Sequence, residues 1–462
     1  MLNKKKYIRP HFWSLFALTI LLFSFSTIHA EAVTEDTANE ANKEAEHQNI
    51  IDYEPTPIHQ ISAVECKKCH AEIYNQWKGS MHAQSTALKD PIHGAFYKNV
   101  MGDPLVEGLK SKKGKYPVCL QCHAPNAAQD GKTKLDTMPA YSEGVNCVVC
   151  HRLKKFKGTK KPNGKLQLGI KAYEVAQVCQ GPSGFMWKSA EEAAAAVKSK
   201  DNPHTSQVNM ALGNYQKPFV SADEGVDLDT EVSLNIPIES NPGLLKTSAA
   251  CLGCHDQRRN SHGVSLCQTG TEYTQGKSYV TCQSCHMPVG GGFANHSMGG
   301  GHDLSMLRRA VVFELDIKKE GDTIKTSVLL KNTQPHNMPT GAPFRNMVLK
   351  VSAYGKDGNK IWQNYEKHPV KEDPQSYFVY VLLDGDGKST TPPKAKSPGK
   401  DTRLKPYEKR TLNYEIPAKD VFLVRAELHY NLLWPGLVKK LDKKLPDHLK
   451  APQLIAWSEE RL

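Results

Sequence analysis

One short pattern, C-x-x-C-H, occurs five times in this chain of 462 residues. The copies are Cys66-Lys67-Lys68-Cys69-His70, Cys119-Leu120-Gln121-Cys122-His123, Cys147-Val148-Val149-Cys150-His151, Cys251-Leu252-Gly253-Cys254-His255 and Cys282-Gln283-Ser284-Cys285-His286. They take ten of the twelve cysteines. The chain's own Cys and His frequencies would produce on the order of 0.01 such matches by chance. Two thiols so spaced, with His directly after them, are the attachment signature of c-type haem. The thiols reach the two vinyl groups on one porphyrin edge, and the adjacent imidazole binds the iron. Zinc accounts for cysteine pairs, but it needs two pairs, or a pair and two His, per metal. It gives no reason for His to follow every time. Exported cysteines commonly form disulfides, yet a two-residue loop repeated five times is a poor framework. The pattern therefore predicts five c-type haems (iron), with His70, His123, His151, His255 and His286 as proximal ligands.

Cys179 and Cys267 stand outside the pattern. In an oxidising compartment the simplest expectation is a bond between them; a thiolate ligand to iron is the sharper alternative. Twelve His remain after the five proximal ones and the two near the N-terminus. Six have contexts that suit a sixth iron ligand: His82, His93, His204, His296, His302 and His336. His ligation on both sides closes the iron to substrates and suits electron transfer. Met287, Met298 and Met338 are alternatives that would raise the potential. A helix over 71–82 would set His82 about 18 Å along its axis from His70, so His82 is expected to serve a neighbouring haem. His47, His59, His368, His429 and His448 read as surface or packing residues.

Hydrophobic residues make up 39% of the chain and aromatics 8%, little for a conventional core of this length. Porphyrins would fill that gap. The formal charge of +12 falls to about +8 once residues 1–30 are removed. Ten propionates and five ferric centres bring it to about +3 oxidised and about −2 reduced. The basic balance therefore gives no reason to expect nucleic acid. Residues 1–30 read as a signal peptide: Lys4, Lys5, Lys6 and Arg9 precede an apolar run from Phe12 to Phe25 that ends near Ala30. An uncleaved anchor is the alternative. Residues 31–60 are acidic and short of aromatics, as in a disordered leader. A periplasmic or extracellular location follows.

The five motifs occupy a pentahaem domain, residues 61–306, expected to be mainly α-helical and irregular. Motif spacing pairs the second with the third and the fourth with the fifth, leaving the first apart. Between His151 and Cys251 lie a lysine-rich loop, Arg152 to Lys165, and a helix capped by Ser189. Residues 307–462 change texture. Alternating stretches at Val311–Ile317, Ile324–Leu330, Met347–Tyr354 and Val421–Tyr430 are separated by turn signals such as Lys356-Asp357-Gly358. They predict an Ig-like β-sandwich without cysteine or haem, with a Pro-rich loop near Pro392, Pro393 and Pro398 across one edge. The fold class is α+β multidomain.

Three segments carry a family resemblance. Cys66–His82, with Tyr74, Trp77 and Ser80 after the motif, resembles the opening of the cytochrome c-554 family of multihaem cytochromes. Cys282–Pro288 with His296 and Gly301-His302, and Asn332–Gly341 with His336 before Pro339-Thr340-Gly341, are similar to that wider group. The resemblance implies axial roles for His82, His302 and His336. It departs in haem number, since the type protein has four, and in the appended sandwich.

These features predict an exported electron-transfer cytochrome whose partners are redox proteins, membrane redox proteins among them. The alternative is a multihaem reductase or oxidase of a small nitrogen or sulfur compound. A C-x-x-C-K motif, which the similar pentahaem nitrite reductases use, does not occur here. A surface binding role for the sandwich is a third reading. Protein purified from cells able to attach haem should outweigh the processed polypeptide by five haems in intact mass spectrometry; the bare polypeptide mass would refute the reading.

Overall fold

The structure is a computed structural model that describes residues 56–182, 238–441 and 445–462. The expected signal peptide, the expected leader up to residue 55, the Ser189 helix and His204 lie outside the described residues; the end of the expected leader is ordered instead, with Ile58–Gln60 forming a 3-10 turn pinned to Asp130 through His59 (2.6 Å) and Gln60 (2.9 Å). Pro55–Leu462 form one compact unit.

The first part of that unit is built from short helices and irregular loops. Each attachment motif closes about one helical turn: His70 N donates to Cys66 O (2.9 Å), His123 N to Cys119 O (3.0 Å) and His151 N to Cys147 O (3.0 Å). Residues three and four apart share a helix face, so both thiols and the imidazole are presented together. Buried apolar residues here form several small clusters, such as Leu120, Ala124, Leu135 and Tyr141 beside motif two, and Val149, Leu153, Ile170 and Tyr173 beside motif three.

The second part is the expected sandwich. Its strands are β1 (Val311–Glu320), β2 (Thr323–Asn332), β3 (Asn346–Tyr354), β4 (Lys360–Gln363), β5 (Tyr377–Leu383), β6 (Ser397–Asp401), β7 (Lys409–Pro417), β8 (Leu423–Asn431) and β9 (Gln453–Arg461). One sheet has the order β7-β2-β1; the other runs β6-β5-β3-β8-β9, with β4 paired to β3. Every pairing is antiparallel. Period-two alternation places Ile324, Val328, Leu330, Leu412, Ile416, Val424, Ala426 and Leu428 inside. The Pro-rich stretch differs from expectation. Only Pro392–Lys394 is a turn; Ser397–Asp401 is a strand, with Pro398 opposite Leu382. Proline is admissible there because β6 is an edge strand.

The two parts share a core. Ile92 and Ala95, on the helix Pro91–Val100, belong to the sandwich's apolar cluster, and Phe96 stacks on Phe344 with ring centroids 5.4 Å apart. Glu272, on the helix Thr269–Gln275, accepts from Arg403 Nη1 (2.8 Å), Asn337 N (3.3 Å) and the Thr340 hydroxyl. Arg403 in turn holds Asp401 (2.9 Å), which also meets Lys405. Burial would raise the Asp401 carboxyl, but Arg403 and Lys405 outweigh it and hold the group at about 2.

Two outcomes follow. Arg403→Met leaves Glu272 buried without its cation and should cost about 3–5 kcal/mol in chemical denaturation. Because Asp401 is depressed when folded, its contribution is present above its unfolded value and disappears as pH falls toward 2. The variant should therefore lose less stability than the parent across that acid window in pH-dependent melting.

Candidate functional site

Pairs of histidines distinguish this structure. Two imidazoles on opposite sides of one metal, each at about 2 Å, have ring centroids about 6 Å apart. His82 and His255 lie 6.0 Å apart and nearly perpendicular, at 85°. His151 and His296 lie 6.4 Å apart at 20°, and His286 and His336 lie 6.4 Å apart at 24°. Each pair joins a motif histidine to a candidate from elsewhere in the chain. His82 stands opposite the fourth motif rather than the first. Its helix ends at Lys78, before Gly79, and His82 sits in the turn beyond.

Hydrogen bonds orient these rings. Carbonyl oxygens only accept, so each bonded Nδ1 must carry the proton. His123 donates to Ser85 O (3.0 Å), His151 to Gln180 O (2.8 Å) and His286 to Gly299 O (2.6 Å). His296 donates to Ala294 O (2.7 Å) and His336 to Asn337 O (3.0 Å). In that tautomer Nε2 carries the lone pair that a metal would take. Burial keeps the rings neutral, as ligation requires: His82 and His123 are lowered to about 3 and His255 to about 4, by desolvation first and neighbouring imidazoles second. His296 and His336 are lowered too, chiefly by burial.

His93 behaves differently. Its ring centroid is 3.9 Å from that of His123, and its Nδ1 donates to the same Ser85 carbonyl (2.9 Å). That spacing leaves no room for an iron between the two. His93 Nε2 is buried and unpartnered, as is the hydroxyl of Tyr97 one turn on. His302 sits within electrostatic reach of Arg345 and His448, and burial with those charges lowers it to about 4. Met338 fills the sandwich core.

The thiols reveal how the motifs adjoin. Cys66 meets Cys147, Cys122 meets Cys254, and Cys251 meets Cys282; Cys150 lies close to Cys251 and Cys254. Motifs four and five adjoin, as their spacing suggests. Motif one also adjoins three, and motif two adjoins four, so thiol contacts run beyond neighbours in the chain. Spacing along the chain misses this because loops bring distant turns together. Cys179 and Cys267 are separate free thiols rather than a disulfide. Cys179 lies near Arg152 and Cys147, whereas Cys267 bonds Thr269 Oγ1 at 3.8 Å.

Paired thiols on one helical face, neutral imidazoles with anchored Nδ1, and ring separations that admit one metal all suit haem. The carbonyls of Ser85, Gln180, Ala294, Gly299 and Asn337 are functional groups that sequence reasoning missed. No side-chain identity marks them.

Comparison with known proteins agrees with this geometry. Residues 65–152 match the family described as cytochrome c554 and c-prime. The crystal structure of a penta-heme cytochrome c552 from Thermochromatium tepidum is 52% identical, with a TM-score of 0.78, covering 88% of this chain and 100% of that one. A β-glucosidase 3B from Thermotoga neapolitana, 12% identical over 33% of this chain and 17% of its own, has a TM-score of 0.11, which is no likeness of fold. No curated protein matches. The chain belongs to the multihaem c-type cytochromes, in the family of that penta-heme cytochrome c552.

Proposed function

We propose that the chain carries electrons between protein redox partners through five c-type haems, held by the ten motif cysteines and the five motif histidines. The observation that carries this reading is the set of three histidine pairs at 6.0, 6.4 and 6.4 Å. A metal held between two fixed imidazoles is closed to substrate and changes its coordination little with charge, which favours electron transfer. Haem iron supplies the one-electron ferric/ferrous couple when bound. This chain supplies the rest. His82, His296 and His336 would supply the second imidazole to haems held by His255, His151 and His286. The carbonyls named above fix the tautomers, and the adjoining thiols bring the five attachment turns together. The relative's name supports five haems, and its 52% identity covers the whole of that chain.

The multihaem family and the signal-like N-terminus support export to the periplasm or cell exterior. No helix among the described residues is long and apolar enough to cross a membrane.

A second reading, a reductase or oxidase of a small nitrogen or sulfur compound at one open haem, is favoured by the placement of His93. It stacks on His123 instead of facing it across an iron-sized gap. Electron paramagnetic resonance separates the two. A carrier shows only low-spin ferric haem, whereas a full equivalent of high-spin ferric haem, with viologen-driven turnover of nitrite, hydroxylamine or sulfite, would establish the enzyme.

His336→Ala should retain all five haems by mass while converting one from low-spin to high-spin. His82→Ala should do the same for a different haem. An unchanged spin count in both variants would refute the ligand assignment.

A further inference from the structure

After His151 the chain forms a hairpin whose arms, Leu153–Phe156 and Tyr173–Val175, pair antiparallel. Main-chain bonds fix its extension: Lys157 N to Ala172 O (2.8 Å), Gln167 N to Thr159 O (2.9 Å) and Lys161 N to Lys165 O (2.9 Å). Its root is wedged among three attachment turns. Arg152, next to His151 at the start of the lysine-rich stretch, is fully buried, donating to Val148 O (3.1 Å) and Gln129 Oε1 (2.6 Å). Gly169, at φ +62°, abuts motif two so closely that a Cβ would lie 2.1 Å from Gln121 O. The Tyr173 hydroxyl donates to Ala250 O (2.8 Å) and accepts from Gly253 N (2.8 Å) of motif four, where a Cβ on Gly253 would strike its ring.

This anchored hairpin carries seven lysines and no acid between Leu153 and Ala172. Lys154, Lys155, Lys157, Lys160, Lys161, Lys165 and Lys171 are all exposed. Among the described residues none of them forms an ion pair. The one acid on the arms, Glu174, faces Lys155. Like charges on a rigid frame repel one another and attract an opposite surface from a distance.

We propose that this hairpin is the docking surface for an acidic redox protein, steering it toward motifs two, three and four. The proposal rests on the electron-transfer reading and names the partner class. One electron leaves the reduced partner, which is oxidised by one unit, and one ferric haem becomes ferrous; no bond or proton changes.

Stopped-flow reduction of the ferric holoprotein by an acidic flavodoxin hydroquinone, and by duroquinol as a neutral small reductant, tests it. The flavodoxin rate should fall about tenfold between low and moderate salt. The combined variant K154E/K157E/K160E/K161E should lower it at least as much at low salt, leaving the duroquinol rate, haem count and midpoint potentials unchanged. The milder K160A/K161A/K165A variant should give a smaller loss of the same kind, guarding against a folding defect in the first. A flavodoxin rate insensitive to salt and to both variants would overturn the proposal. So would midpoint shifts large enough to account for the rate loss, since the lysines would then serve haem propionates. Reduction by neither reagent would overturn the electron-transfer reading itself.

Discussion

When an imidazole donates its Nδ1 proton to a fixed carbonyl, its tautomer and its ring direction are set in the same stroke. Six histidines among the described residues are held that way, by the carbonyls of Ser85, Gln180, Ala294, Gly299 and Asn337, with Ser85 serving two of them. Remove those bonds and a buried neutral ring is free to turn its lone pair away from a metal. The bonds run to main chain, so the ligand geometry depends on backbone placement. Backbone placement in turn depends on the packing of loops that have little regular structure of their own. Small apolar clusters, clamped glycines and the sandwich all contribute to holding those loops.

The sandwich is therefore structurally bound up with the paired histidines. Its β2–β3 connection carries His336 to within 6.4 Å of His286. Its core takes in Ile92 and Ala95 from the helix that carries His93. The buried Glu272–Arg403 pair ties the helix Thr269–Gln275 to β6 and its following turn. A module that only recognised a partner would not need to share its interior with the part it serves.

Much of this was legible in the sequence because the chemistry repeats. Five C-x-x-C-H motifs identify the cofactor and its attachment points, and period-two alternation marks β2, β3 and β8. Strand β7 carries the same signal, with Leu412, Tyr414 and Ile416 alternating against Thr411, Asn413 and Glu415, but it is shorter in apolar content and opens on the charged Lys409 and Arg410. The order in which motifs adjoin was not legible, since contacts such as Cys122 with Cys254 are set by loop closure. Arg152 looked like the first residue of a lysine run. Only the fold shows that it turns inward while Lys154 and Lys155 stay exposed. His93 had a suitable context for a ligand, and nothing local could reveal that it stacks beside His123.

His336 lies some fifty residues after the last attachment motif, on a strand connection that cannot form until the sandwich does. Folding proceeds from the N-terminus, so the attachment turn of motif five emerges before the connection that bears its proposed sixth ligand. A haem held there would lack that ligand until the C-terminal strands close. A truncated or unfinished chain would then betray itself by a reactive, high-spin haem at motif five.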